Sequence, residues 1–305
     1  MINWGKFAGW TGITVTYLVY SVAIYFFVYR LGWRWFWTSE KWSAAIILYP
    51  TMDISVRIFM GIWCHIYCCT TDPGIIQRPG ERMEVTSCCS TDSSDICKKC
   101  DYSRPARTHH CSTCNACIYQ MDHHCPWVNN CVGLGNQKAF LLFLAYTSSA
   151  AIECLGLAGL RLVTCPNVYN SLMVLGLRFV VGESHIAKVL AQSGNENFTF
   201  DETCDFTIDY AAAGIIAIIC AAIFVVFIAF IATDQIQSIV RNQTFVESLK
   251  AGCAKPPDTH TPAEIGIRLQ EVMGSNPSLN WLLPMRSTSW RTSLVIKPDN
   301  PVRGS

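Results

Sequence analysis

The chain predicts an α-helical integral membrane protein in which four transmembrane helices carry a cytosolic, zinc-binding, cysteine-rich domain between helices 2 and 3. Three observations predict it. Of 305 residues 51% are hydrophobic and only 15% charged, and the mean hydropathy is positive, which is too apolar for an ordinary soluble protein. Four long stretches are nearly free of charge. Between Cys97 and Cys131 the chain concentrates seven cysteines and four histidines.

The first apolar stretch, Phe7 to Tyr29, holds no Asp, Glu, Lys or Arg over 23 residues, more than the roughly 20 that a helix needs to cross a bilayer. It is too long for a signal-peptide core, and no small-residue cleavage site follows. Trp33-Arg34-Trp35-Phe36-Trp37 reads as an interfacial aromatic belt. The second span, about Ser43 to Cys69, carries Asp53 and Arg57, four residues apart and able to meet on one helix face. Charges at membrane depth are costly unless paired, so a structural ion pair is favoured over a substrate contact. Thr71-Asp72-Pro73-Gly74 then turns the chain. From Ile75 to Ile96 a polar, Ser- and Thr-rich linker without periodicity follows. Cys64, Cys68, Cys69, Cys88 and Cys89 lie at the membrane edge or in this linker, as thiols either free or open to reversible acylation.

The cysteine-rich domain spans 97–138. Its spacing is Cys97-x-x-Cys100, then Arg104 and Arg107, His109-His110-Cys111-x-x-Cys114-x-x-Cys117, Asp122-His123-His124-Cys125 and Cys131. Structural zinc takes four Cys or His ligands in a closed tetrahedron. Two sites need eight of the eleven residues, and interleaved Cys3His sites leave Cys125, His109 and His123 unligated. A spare thiol beside a spare imidazole is more than a structural finger requires. With a formal charge of +1 the chain has no basic face for nucleic acid, so the ribbon is not read as a DNA finger. Seventeen cysteines would suggest a disulfide scaffold only in a short secreted chain, and zinc thiolates need a reducing compartment.

This stretch resembles the cysteine-rich domain of the DHHC protein S-acyltransferases (palmitoyltransferases) without a gap from Cys97 to Phe140. The name-giving residues stand as Asp122, His123, His124 and Cys125, followed by Pro126-Trp127-Val128-Asn129-Asn130-Cys131-Val132-Gly133, Asn136 and Phe140. The resemblance implies one zinc on Cys97, Cys100, His110 and Cys117, a second on Cys111, Cys114, His124 and Cys131, and Cys125 as nucleophile. The family's Asp-Pro-Gly after the second span agrees with Asp72-Pro73-Gly74.

The third span runs from about Ala139 to Val163, interrupted by Glu153, and the fourth from Tyr210 to Thr233 has no charge in 24 positions. The loop between them holds the sequon Asn197-Phe198-Thr199, a weak signal, together with Cys165 and Cys204, a candidate lumenal disulfide. Part of it, Ser171 to Gln192, is open between an amphipathic and a re-entrant helix. Sixteen Lys and Arg lie in the amino terminus, the 70–138 segment and the tail, against five in the two opposite loops. The positive-inside rule therefore puts both termini and the zinc domain in the cytosol.

After the fourth span, Thr244 and Glu247 match the family's Thr-Thr-x-Glu motif, with Phe245 in place of the second Thr and its hydroxyl. Thr261-Pro262-Ala263-Glu264 is a capping box opening a short amphipathic helix with Ile265, Leu269 and Val272 on one face. Val272-Met273-Gly274 and Trp281-Leu282-Leu283-Pro284 are similar to the family's C-terminal packing motif, with Arg268 where Asn is usual. Beyond Met285 the composition is that of a disordered tail.

The resemblance implies transfer of palmitate from palmitoyl-CoA to cysteines of membrane-associated protein substrates, through a thioester on Cys125. An adjacent imidazole raises the thiolate fraction of such a Cys, which makes His123 the base and Asp122 its orienter. Arg104, Arg107 and His109 are candidates for the coenzyme A phosphates, Trp127 and Phe140 for flanking the acyl chain. Counting on by family spacing places the floor of the acyl cavity at Ala150, after Ser148 and Ser149 and before Ala151. The endomembrane system, Golgi or ER first, is the expected location, and no accessory subunit is implied by name. A silent, membrane-tethered zinc scaffold is the other class of function, and an intact Asp-His-His-Cys argues against it.

Overall fold

The computed structural model describes residues 4–33, 44–76, 95–164, 208–250, 261–274 and 277–285. The sequon, Cys165 and Cys204, the segment Ser171 to Gln192, Cys88 and Cys89, the aromatic cluster after Trp33 and the tail after Met285 lie outside these residues.

Among the described residues four helices are long and apolar enough to cross a membrane. Helix α1, Trp4–Ala23, continues into a π-helical segment, Ile24–Trp33. Helix α2 is Ala44–Thr70, α3 is Gln137–Thr164, and α4 is Ile208–Arg241. Helix α4 runs eight residues past the Thr233 end expected from hydropathy, because nothing between Thr233 and Arg241 breaks a helix. It stops in a Schellman arrangement at Asn242, whose φ is 49°, with Asn242 N–H donating to Ile239 O at 3.2 Å and Gln243 N–H to Ser238 O at 3.1 Å. The two extra turns are polar and become part of the site.

The chain forms two compact units. One contains Met1–Tyr17, Met60–Tyr146 and Phe230–Ser305, and the other Leu18–Phe59 and Thr147–Ala229.

In the first unit the zinc domain consists of three antiparallel hairpins: β1 (Asp95–Cys97) with β2 (Tyr102–Arg104), β3 (Thr108–Cys111) with β4 (Ala116–Tyr119), and β5 (His123–Cys125) with β6 (Asn130–Val132). Its apolar core is small. Ile118 and Met121 pack with Cys111 and Cys131, and Ile76 packs with Cys97 and Cys117, so the core is built largely from the ligand thiols themselves. Two-stranded hairpins are marginal alone, and a metal ion held by these thiols would supply folding energy.

The turn after α2 is an Asx-turn: Asp72 Oδ1 accepts from Gly74 N–H at 2.9 Å and Ile75 N–H at 2.8 Å. Gly74 sits at φ 113°, a region that disfavours side chains, and its carbonyl accepts from Tyr119 N–H at 2.9 Å. Two asparagines cap the carbonyl end of α2. Asn130 Nδ2 donates to Thr71 O at 2.9 Å and Cys68 O at 3.1 Å, and Asn136 Nδ2 donates to Cys131 O at 2.8 Å and Cys68 O at 3.3 Å.

The short α5, Phe245–Lys250, follows α4, and α6, Pro262–Met273, opens with the expected capping box at Thr261 and Glu264. Arg268, in the place of the usual Asn, donates to the Val240 carbonyl near the end of α4. The last described segment is tied to α3 by Lys138 Nζ, 2.6 Å from Asn280 O and 3.1 Å from Met285 O, and by Tyr146 Oη, 2.8 Å from Leu282 O.

In the second unit Arg57 Nε lies 2.7 Å from Asp53 Oδ2 and 3.1 Å from Glu153 Oε2. The expected pair on α2 thus gains the single carboxylate of α3 as a third member. Tyr20 Oη and Thr147 Oγ1 are hydrogen-bonded at 2.6 Å, and Ala150 is buried one turn further along α3.

Candidate active site and zinc centres

Strand β5 is only three residues long, and its alternation sorts ligand from reactive groups. Side chains at 123 and 125 share one face, and 124 takes the other. His124 joins Cys111, Cys114 and Cys131, whereas His123 and Cys125 line a cavity of about 330 Å³.

Two clusters could hold a metal ion: Cys97, Cys100, His110 and Cys117, and Cys111, Cys114, His124 and Cys131. A tetrahedron with Zn–S of about 2.3 Å and Zn–N of about 2.0 Å has edges of roughly 3.5 to 3.8 Å. His110 Nδ1 lies 3.2 Å from Cys100 Sγ and 3.7 Å from Cys97 Sγ, and Cys117 and Cys100 sulfurs are 3.6 Å apart. In the other cluster His124 Nδ1 is 3.4 Å from Cys114 Sγ and 3.7 Å from Cys111 and Cys131, with Cys131 to Cys114 at 3.6 Å. The donor set and these separations fit zinc, held through Nδ1 of each histidine. No open coordination position remains, as in structural sites.

On the opposite face, His123 Nδ1 lies 2.7 Å from Asp122 Oδ2, which leaves Nε2 as the ring nitrogen available to Cys125 in the same cavity. Burial works to lower the His123 pKa, but the Asp122 and Cys125 hydrogen bonds outweigh it and raise it to about 9. Phe140, buried at the start of α3, sets its ring edge-on to the His123 ring at 5.6 Å.

Asp122 is almost fully buried, and burial alone would raise its pKa. The hydrogen bonds it accepts hold it below the usual carboxylate range instead. Besides His123, they come from Gln235 Nε2 to Oδ2 at 2.7 Å and the Phe245 backbone N–H to Oδ1 at 2.8 Å. With Phe245 in place of the second Thr, this hydrogen bond to Asp122 comes from the main chain and needs no hydroxyl.

What fixes that amide is the Thr-x-x-Glu sequence, which is itself a capping box. Thr244 N–H donates to Glu247 Oε2 at 2.9 Å, and Glu247 N–H donates to Thr244 Oγ1 at 3.3 Å. The Phe245 N–H, at the first helical position, has no intrahelical partner and is free to point at a carboxylate. Glu247 also accepts from Arg107 Nε at 2.9 Å and Nη2 at 3.1 Å, while Arg107 Nη1 reaches Asn242 Oδ1 at 2.9 Å. Against the effect of burial, Arg107 draws the Glu247 pKa down, with His109 adding to the same field. Arg107, expected at coenzyme A phosphates, is thus engaged as a strut between zinc domain and α5. Arg104 lies on β2, and neither it nor His109 is among the residues lining the cavity.

Trp127, Ile231, Asp234, Gln235, Arg241 and Phe245 line the cavity with the three catalytic candidates. Close passage of α1 is secured by Gly12, where a Cβ would stand 2.4 Å from the Pro126 carbonyl oxygen. No motif in the sequence marks Gln235 as a partner of Asp122. Its only trace is a polar position within the continuation of an apolar helix.

Two Cys3His clusters beside a buried Asp–His pair and a cysteine offer the groups that a transferase of the thiol class requires. Residues 90–252, more than half of the chain, match the model of the DHHC palmitoyltransferase family, and the chain belongs to that family. It is similar to palmitoyltransferase ZDHHC7 of Rattus norvegicus, 29% identical over 272 residues that cover 88% of this chain and 74% of the relative. It is also similar to palmitoyltransferase pfa3 of Neurospora crassa, 45% identical over 123 residues, 37% of this chain and 18% of that one. A third relative, probable protein S-acyltransferase 13 of Arabidopsis thaliana, is 41% identical over 105 residues, covering 30% and 35%. The chain is a protein S-palmitoyltransferase.

Proposed function

We propose that the enzyme transfers palmitate from palmitoyl-CoA to cysteines of membrane-associated proteins by a two-step exchange through acyl-Cys125. The observation that carries this reading is the contact of Asp122 Oδ2 with His123 Nδ1 at 2.7 Å, with Cys125 lining the same cavity as His123. His123 holds the thiol proton, the thiolate attacks the acyl carbonyl, and coenzyme A leaves as its thiol. In the second half a substrate thiol repeats the exchange and frees Cys125. Each step trades one thioester for another, so a covalent intermediate divides the transfer into two nearly isoenergetic parts. Asp122 keeps the His123 proton on Nδ1 and stabilises the imidazolium.

Two structural zinc ions would sit on Cys97, Cys100, His110 and Cys117 and on Cys111, Cys114, His124 and Cys131. Their chemistry is to clamp the hairpins, so that β5 presents His123 and Cys125 rigidly. Arg104 and His109 would meet the coenzyme A phosphates, and Trp127 and Phe140 would flank the acyl chain, with Ala150 towards its far end. The four apolar helices would cross the bilayer with both termini and the zinc domain in the cytosol, in an endomembrane compartment such as the Golgi or ER. The deciding experiment is incubation of the purified protein with labelled palmitoyl-CoA. A hydroxylamine-labile label on Cys125, passed on to an acceptor protein, is expected; a protein that transfers without ever carrying label overturns the two-step reading.

A further inference from the structure

The Gln235 side chain is buried, with 3% of the residue exposed, and it is satisfied at one end alone. The Asp122 carboxylate can only accept, so the atom 2.7 Å from its Oδ2 is the donor Nε2. That contact fixes the orientation of the whole planar amide. Oε1 is left buried with no hydrogen-bond partner among the described residues. Buried acceptors are nearly always satisfied, so an orphan of this kind calls for a donor that arrives from outside the chain.

The open space beside Gln235 is the catalytic cavity, which it lines together with Asp122, His123 and Cys125. Along α4 the lining changes character at this residue. Ile231, one turn earlier, is apolar and shares the cavity with Trp127, whereas Ser238 and Arg241, one and two turns later on the same helix face, are polar. An acyl thioester makes the same change. Its apolar chain ends at the thioester carbonyl, and the first atoms of the thiol carrier begin the polar part, so those atoms are the ones that come to lie beside Gln235.

On the acyl-Cys125 reading, two thiol carriers use this place in turn, coenzyme A in the first half-reaction and the acceptor cysteine in the second. They share a fragment. Coenzyme A ends in S–CH2–CH2–NH–C(=O), and a cysteine residue contains S–CH2–CH–NH–C(=O), so each carries an amide N–H two carbons from the reacting sulfur. We propose that Gln235 Oε1 accepts this N–H, and that the enzyme thereby recognises its substrates as β-amido thiols in both half-reactions. Gln235 is then a substrate-contacting residue as well as a holder of Asp122. Both tasks pass through one amide, and hydrogen bonds in series strengthen one another.

The test loads Cys125 of the purified full-length protein with labelled palmitoyl-CoA and follows its discharge by an excess of small thiols. N-acetylcysteamine stands for the coenzyme A arm and N-acetylcysteine methylamide for a protein cysteine, while 2-mercaptoethyl acetate puts an ester oxygen in place of the N–H. Each rate is divided by that of the same thiol with palmitoyl-CoA in enzyme-free solution, which removes differences in thiol reactivity. Wild type should be discharged by both amides about tenfold faster than by the ester. In Gln235→Met and Gln235→Leu, loading of Cys125 should slow and the preference should fall to about one. Slower loading alone would follow from the lost donor to Asp122; a lost preference would not. The wild-type comparison stands whether or not a variant folds, and zinc content identifies the folded ones. A wild type that takes the ester as fast as the amides, that none of the three discharges, or that favours one amide alone overturns the proposal and leaves acyl-Cys125 intact, as does a preference that survives in a folded variant. Absence of label on Cys125 from palmitoyl-CoA overturns the acyl-enzyme reading itself.

Discussion

The backbone N–H of Phe245 donates to Oδ1 of Asp122 at 2.8 Å, joining residues 123 positions apart in sequence. A main-chain donor is indifferent to side chain, which is why the family's second Thr can be Phe here. Phe245→Thr is expected to leave autoacylation within about twofold of wild type. Phe245→Pro removes the donor at a helical position where proline is otherwise tolerated. A hydrogen bond to a charged group is worth about 1.5–3 kcal/mol, so labelling of Cys125 should slow roughly 10- to 100-fold with zinc retained. An unslowed proline variant would show that the amide does not hold Asp122 during turnover.

Cys125→Ser is expected to abolish the catalytic thioester while zinc stays near two ions per chain, since Cys125 is outside both metal clusters. Metal analysis of the purified variant checks it, and loss of one ion would mean that the ligand sets are wrongly divided.

Ligand and reactive histidines should separate cleanly. Cys114→Ser and His110→Ala each break a four-membered cluster and should give zinc-depleted, poorly folded protein, because metal binding contributes on the order of 10 kcal/mol to folding of such domains. His123→Ala should fold, hold both ions and acylate slowly. Equal zinc loss in all three variants would contradict the division of β5 into two faces.

The Arg107–Glu247 strut spans 140 residues and is only partly exposed. In a double-mutant cycle of Arg107→Ala and Glu247→Ala, thermal stability should show a coupling of about 1 kcal/mol, at the upper end for accessible ion pairs. Additive effects would show that the bidentate contact carries no stability.

Chain-length preference should respond to Ala150, which is buried on α3 one turn after the Thr147 partner of Tyr20. Each buried methylene is worth about 0.8 kcal/mol, so a small side chain here should let stearoyl-CoA compete with palmitoyl-CoA for autoacylation. Ala150→Phe should shift the preference towards shorter chains. Strong rejection of stearoyl-CoA by wild type, or an unchanged preference in the variant, would place the floor elsewhere.

Short-range spacing and apolar length were legible in the sequence because they are local properties. The pairs Cys97-x-x-Cys100 and Cys111-x-x-Cys114 each bring two thiols to one cluster, runs of more than 20 apolar residues have one stable form in a bilayer, and the Thr261–Glu264 box announces its helix within four residues. Each of these features is contained within a few neighbouring residues. The surroundings of Asp122 and Cys125 arise from long-range contacts. Gln235 and the Phe245 amide are brought to Asp122, and Glu247 to Arg107, across more than a hundred residues. Such contacts leave no periodicity to read. A buried carboxylate must find donors wherever the folded chain supplies them, and a backbone amide that answers this need has no letter in the sequence.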